Sequence, residues 1–204
     1  RSTMSEAQQE EFAASHECNY AIDDETYGRF RASAYVQRGL PGIVLRRISA
    51  EIPSFESLGL PPIIEQLSML KRGLIIFVGS TGTGKSTSLA AMVDYRNTHS
   101  KGHIVSIEDP IEFVHHHKGC LISQREVGLD TGSFDVALAN TLRQAPDVIM
   151  IGEVRTAKTM ESALAFAETG HLCLCTLHAN NANQALDRIL SFFPAERLAQ
   201  VRMD

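Results

Sequence analysis

One stretch constrains this chain more than any other. Leu74-Ile75-Ile76-Phe77-Val78 runs directly into Gly79-Ser80-Thr81-Gly82-Thr83-Gly84-Lys85-Ser86. The first part reads as a buried strand. The second fits G-x-x-x-x-G-K-[ST] at every fixed position, and a helix pattern follows from about Gly84 to Asn97. Phosphate oxygens need several donors converging on one small volume. A glycine-rich loop turns its backbone N–H groups inward, and a helix N-terminus adds its positive end. Gly79, Ser80, Thr81, Gly82, Thr83, Gly84, Lys85, Ser86 and Thr87 are therefore the candidate phosphate-binding residues. Lys85 supplies a point charge to the outer phosphates, and the Ser86 hydroxyl is a candidate Mg²⁺ ligand. A ligand-free turn would explain the glycines but not the lysine and serine behind them.

The remaining pattern predicts an α/β fold. Strands are expected at Leu74–Val78, His103–Glu108, Cys120–Arg125, Val148–Ile151 and Leu172–Leu177. Helices are expected at Ile63–Arg72, Gly84–Asn97, Phe134–Gln144, Ala157–Glu168 and Asn183–Leu190. The first of these carries Ile63, Leu67 and Leu70 as a stripe and Gly73 as its stop. Apolar strands alternating with helices predict a mainly parallel sheet covered on both faces.

Residues 1–50 read as part of a smaller α+β unit. A helix is expected over Ser5–Cys18. Alternating Phe30, Ala32, Ala34 and Val36 mark a half-buried strand over Arg29–Gln37, and a second strand spans Ile43–Ile48. The rest of this unit is expected before Arg1, so the chain reads as a fragment. Residues 51–62, with three prolines, read as a linker, and 63–204 as the main domain.

Ligands of open parallel sheets bind beyond the carboxyl ends of the strands. Three expected strands deliver polar residues there. One ends in Glu108-Asp109-Pro110, another in Gly152-Glu153, and the third in His178. If the strands of Glu108 and Glu153 both neighbour the loop strand, Glu153 closes a Mg²⁺ site with Ser86. Glu108 then orients or deprotonates an attacking water. A rim histidine such as His178 can donate to a terminal phosphate and report its presence; for an isolated histidine, a satisfied polar residue near the core is the better reading. For each acid taken singly, an exposed strand end is an equally good reading; beside an intact phosphate loop the functional one wins.

Composition excludes other classes. The net charge is −5, and no lysine or arginine run exceeds two residues, which speaks against a nucleic-acid partner. No apolar run approaches the roughly 20 residues of a membrane span. Cys18, Cys120, Cys173 and Cys175 form no CxxC pair, so buried thiols are expected rather than a zinc site. His115-His116-His117 reads as a solvated loop.

The segments "GSTGTGKST", "IEDPIEFVH", "QREVG", "PDVIMIGEVR" and "AETGHLCLCTLHANNANQALDRI" resemble the Walker A, Asp, Walker B and His boxes of the type II/IV secretion ATPase superfamily. Within it the chain resembles the type IV pilus retraction ATPases, the PilT and PilU families, and leans to PilU. That resemblance implies a RecA-like P-loop NTPase core preceded by a PAS-like domain, and a homo-hexamer that hydrolyses ATP with Mg²⁺. It assigns Lys85 and Ser86 to Walker A, Glu108 to water activation, Glu153 to Walker B, and His171 and His178 to the His box. Arg31, Arg38 and Arg46 match arginines that reach nucleotide from the N-terminal domain.

The same resemblance implies a motor at the cytoplasmic side of the pilus base. Its expected partners are an inner-membrane platform protein and a paralogous retraction ATPase. Thr156 and Ala139 depart from the family pattern, where an acid and a base are usual. The alternative is therefore a weakly active or non-catalytic nucleotide-gated scaffold.

Overall fold

The computed structural model describes residues 3–48, 51–194 and 196. The chain divides into two compact units. One holds residues 1–51 with Glu112–Val114, and the other holds the remainder.

In the first unit, helix α1 (Glu6–Ser15) leads into an antiparallel meander of β1 (Glu17–Asp24), β2 (Gly28–Gln37) and β3 (Leu40–Arg47). Ser5 opens α1 with a reciprocal cap: its hydroxyl accepts from Gln8 N, and Gln8 Oε1 accepts from Ser5 N. The expected helix through Cys18 stops instead at Ser15, because His16 turns left-handed at φ 62°. Cys18 and Tyr20 then point inward as alternate residues of β1, a strand the sequence reading missed, and meet Ala32 and Ala34 of β2. Strand β3 starts earlier than expected, at Leu40. Arg31 and Arg46 are direct register partners across β2 and β3.

In the second unit, a five-stranded sheet runs in the order β4-β8-β7-β5-β6, every pair parallel. Its strands are β4 (Gly73–Val78), β5 (Gly102–Glu108), β6 (Cys120–Glu126), β7 (Val148–Ile151) and β8 (Leu172–Leu177). Helices α2 (Ile63–Ser68), α3 (Lys85–His99), α4 (Phe134–Thr141, continued by a 3-10 turn at Leu142–Gln144), α5 (Ala157–Glu168) and α6 (Ala182–Ser191) cover it.

Every residue of β7 and β8 is buried, and alternate side chains serve two separate cores. Ile149, Ile151, Cys173 and Cys175 pack with Met160, Ala163 and Phe166 of α5. Val148, Met150, Leu172 and Leu174 pack with Leu89, Met92 and Val93 of α3. This double burial explains why the strands read as unbroken apolar runs. Phe55, inside the segment read as a linker, is buried in the second of these cores.

Two expectations are corrected. Helix α2 ends at Ser68, not Arg72, and Gly73 opens β4 rather than stopping a helix. The Arg96 guanidinium, 28 residues on from Ser68, donates to the Ser68 carbonyl at 3.0 Å and to the Leu70 carbonyl at 2.6 Å, satisfying carbonyls left free at and beyond the helix end. The core-facing residues of α2 are Ile64 and Leu67. Ile63 and Leu70 are exposed, at 49% and 42%. The second correction concerns the sheet. Among the described residues β4 pairs only with β8, so neither β5 nor β7 flanks the loop strand.

Candidate active site

Strand β4 ends at Val78, and α3 begins at Lys85; the six residues between make the loop. Gly84 stands at the N-cap with φ 87°, a left-handed conformation that disfavours any side chain. Thr83 Oγ1 and Lys85 Nζ both donate to the Ser80 carbonyl oxygen, each at 2.8 Å. The loop is thereby closed on itself, with its ammonium group held at the mouth. Lys85, Ser86 and Thr87 form the first turn of α3, where unpaired N–H groups and the helix dipole favour an anion.

Parallel pairing puts the carboxyl ends of all five strands on one rim. Neighbouring strands lie about 4.8 Å apart, so β8 stands about 5 Å from β4, β7 about 10 Å and β5 about 14 Å. His178, directly after β8, thus comes between the loop and the acids. Glu153 follows, then Glu108.

Gly152 lets the two acid-bearing strands converge. Its N–H donates to the Ile107 carbonyl at 2.8 Å. A Cβ there would meet Glu108 Cα at 3.2 Å and Ile107 O at 3.4 Å. Thr176 Oγ1 donates to the Gly152 carbonyl at 2.6 Å, and Val154 N to the Thr176 carbonyl at 2.9 Å. Glu153 is held between these bonds. Its Oε1 lies 3.2 Å from His178 Nε2, and its Oε2 lies 2.9 Å from Arg155 Nη2. Arg155 Nη1 reaches Asp109 Oδ2 at 3.3 Å. The hydrogen bond to Glu153 raises the pKa of the guanidinium further above its ordinary value, so Arg155 remains charged.

Glu108 is only 7% exposed, and its Oε1 accepts from Ser106 Oγ at 2.8 Å and from Gln124 Nε2 at 3.0 Å. Ser106 and Glu108 share a strand face, and Gln124 is the register partner of Ser106 on β6. Gln124 Oε1 in turn accepts from His115 N at 2.7 Å.

The histidine tract is therefore not a solvated loop throughout. His115 is buried at 7% exposure, Asn97 Nδ2 donates to the His116 carbonyl at 2.7 Å, and Ile122 N donates to His117 Nδ1 at 3.0 Å. Burial pulls the His115 pKa from 6.5 down to about 4, leaving a neutral ring.

His171 precedes β8 at the opposite end of the sheet, its Nδ1 3.2 Å from Thr169 Oγ1 and 3.3 Å from the Phe166 carbonyl. Seven residues of extended chain, about 23 Å, separate it from His178. Arg31 and Arg46 lie in the sheet of the first unit, and Arg38 follows β2 with φ 52°.

Cys173 and Cys175 are free, buried thiols; desolvation raises the pKa of Cys175 to about 12. Among the described residues no group of three or more His, Cys, Asp or Glu side chains is placed to hold a metal, and no helix is long and apolar enough to cross a membrane. Ser86 and Glu153 offer one hydroxyl and one carboxylate. These are hard oxygen donors of the kind Mg²⁺ accepts when phosphate oxygens and water complete its shell.

Sequence reading missed Ser106, Gln124 and Thr176, which orient the acids. The period-2 step back from Glu108 to Ser106 was a visible signal. The partnership with Gln124 was not, since it depends on strand order.

The family model described as Type II/IV secretion system protein matches residues 22–199, and the chain belongs to that family. It is 68% identical over 201 residues to the type IV pilus ATPase PilU of Pseudomonas aeruginosa, covering 98% of this chain and 53% of that protein. It is 44% identical over 199 residues to the PilT retraction ATPase of the same organism, covering 98% of this chain and 58% of PilT. The crystal structure of the pilus retraction motor PilT with bound ADP superposes with a TM-score of 0.96 at 46% identity, covering 98% of this chain and 58% of that one. The ATPase DotB of Legionella pneumophila matches with a TM-score of 0.85 at 28% identity, over 97% of this chain and 57% of that one. The chain spans about half the length of the curated relatives it matches.

Proposed function

We propose that this chain is the nucleotide-handling part of an ATP-hydrolysing type IV pilus motor that drives or assists retraction and twitching motility. The observation that carries the reading is the shared rim: a self-closed phosphate loop, then His178, Glu153 and Glu108 in spatial order. High identity to PilU supports the pilus assignment.

The triphosphate lies along Gly79–Thr87. Lys85 exchanges the Ser80 carbonyl for the outer phosphates. Ser86 and Glu153 would hold Mg²⁺, which would offset charge on the phosphate oxygens when bound. Glu108, fixed by Ser106 and Gln124, orients a water for in-line attack on the terminal phosphorus and takes its proton, while the bond to the leaving diphosphate breaks. Arg31 and Arg46 place like charges directly opposite each other, an arrangement that costs stability unless an anion offsets it. In this reading the anion is a terminal phosphoryl group, of the same subunit or of a neighbouring one.

The working assembly is a homo-hexamer on the cytoplasmic side of the inner membrane at the pilus base. It bears on a platform protein there and cooperates with a paralogous retraction ATPase. Hydrolysis is coupled to domain rotation. Nucleic acid is not a partner.

A second reading is a weakly active or non-catalytic scaffold. Its support is that both Glu153 oxygens are already engaged, and that Thr156 caps α5 by accepting from Thr159 N at 3.2 Å. Phosphate release by the full protein, alone and with a partner ATPase, separates the two. Turnover by the protein alone supports the motor; no release alone, with release in the mixture that is unchanged when this chain carries Lys85→Ala, supports the scaffold.

A further inference from the structure

We propose that Arg188, with Gln184 one turn before it on α6, reads the terminal phosphoryl group and so distinguishes a nucleoside triphosphate from a diphosphate. This rests on the nucleotide reading above. A cavity of about 450 Å³ opens between the loop and α6, and its walls include Ser80, Thr81, His178, Asn180, Gln184 and Arg188. Two contacts fix which end of the loop it adjoins. Lys85 Nζ is bonded to the Ser80 carbonyl on one wall, and His178 on the other wall touches Glu153. The cavity is therefore one contact removed from the Lys85 ammonium, through Ser80, and from the acid proposed for the metal, through His178.

The wall chemistry selects for an anion. Those six residues carry a guanidinium, an imidazole, two carboxamides and two hydroxyls, and no carboxylate. Gln184 is oriented for donation. Its Oε1 accepts from Asn180 N at 3.2 Å, and its own N–H is held by the Asn181 cap at 2.9 Å. The amide NH₂ is thus the end left for a ligand.

Arg188 makes no ion pair among the described residues. Its Cζ rests 5.7 Å from the centroid of the Phe192 ring, so the guanidinium is supported on an aromatic face, and among the described residues its N–H groups have no hydrogen-bond partner. Residues four apart on a helix share a face, so Gln184 and Arg188 present their donors together. A diphosphate seated on the loop ends near Lys85; a third phosphoryl group extends beyond it into this cavity.

The test uses the full protein and fluorescent analogues of ADP and of non-hydrolysable ATP. Arg188→Ala should weaken the triphosphate analogue by about 10- to 100-fold, the loss expected of a charged hydrogen bond. Diphosphate binding should stay within about twofold by the same reasoning. Arg188→Lys should recover part of the preference. Gln184→Ala, a milder change, should lower it in the same direction. Equal weakening of both analogues, or selectivity retained in Arg188→Ala and Gln184→Ala, overturns the proposal alone. Failure of the unsubstituted protein to bind either analogue overturns the nucleotide reading beneath it.

Discussion

Arg155 ties Glu153 to Asp109. One guanidinium nitrogen lies 2.9 Å from the Glu153 carboxylate and the other 3.3 Å from that of Asp109. The bridge joins the segments that follow β7 and β5, and it occupies an oxygen that the proposed mechanism assigns to Mg²⁺. All three side chains are partly exposed, so the bridge contributes less than about 1 kcal/mol to folding. Its consequence falls on the metal. Arg155→Ala should lower the Mg²⁺ concentration needed for half-maximal nucleotide binding several-fold, with little change in Tm. A Mg²⁺ titration of fluorescent-nucleotide binding checks this, and an unchanged midpoint shows that Arg155 does not compete.

Lys85 and Glu108 should separate binding from chemistry. Lys85→Ala removes the loop's only charged donor and should abolish both nucleotide binding and turnover. Glu108→Gln keeps the side chain's size but removes its basicity. Turnover should fall by about 10²- to 10⁴-fold, while nucleotide affinity changes little. Parallel phosphate-release and binding assays on the two variants decide it. Full hydrolysis by Glu108→Gln would remove Glu108 from its assigned role.

Gly152 tests how closely the acid strands must approach. A methyl group there presses on the Glu108 backbone at 3.2 Å, where the neighbour has little room to give. Gly152→Ala should cost about 1–3 kcal/mol in denaturant unfolding. Turnover should drop as well, because the atom displaced is the Cα of Glu108. A variant as stable and active as the parent would show that the rim tolerates a wider gap.

His115 gives a pH signature. Above pH 6.5 its ring is neutral in both the folded and unfolded chain, and it adds no pH dependence. As pH falls from 6.5 toward about 4, the unfolded chain takes up a proton that the buried ring refuses, so stability declines. Below about 4 both forms are protonated and the loss levels off at about 3 kcal/mol. Urea unfolding at several pH values should therefore show a steeper acid-side decline for the parent than for His115→Phe. Parallel curves would show that the ring is solvated.

What the sequence made legible was local. The loop, its flanking strand and helix, and the polar residues at strand ends all follow from short-range pattern, so Lys85, Glu108, Glu153 and His178 could be named from it. Strand order could not. The insertion of β8 between β4 and β7 is a property of the chain's path, and no periodicity encodes it. Long-range side chains account for other misses. Arg96 caps the end of α2 from far along the chain, and Gln124 holds the His115 backbone although a triple-histidine run looks hydrophilic. In β1, Cys18 and Tyr20 alternate with polar residues just after a helix stop, and the pattern was too short to stand out against the helix before it.

The Ser80 carbonyl accepts from both Thr83 and Lys85. Under the proposed function, phosphate binding is then an exchange of oxygens around one nitrogen: the lysine trades a carbonyl for a phosphoryl oxygen with no net loss of hydrogen bonds.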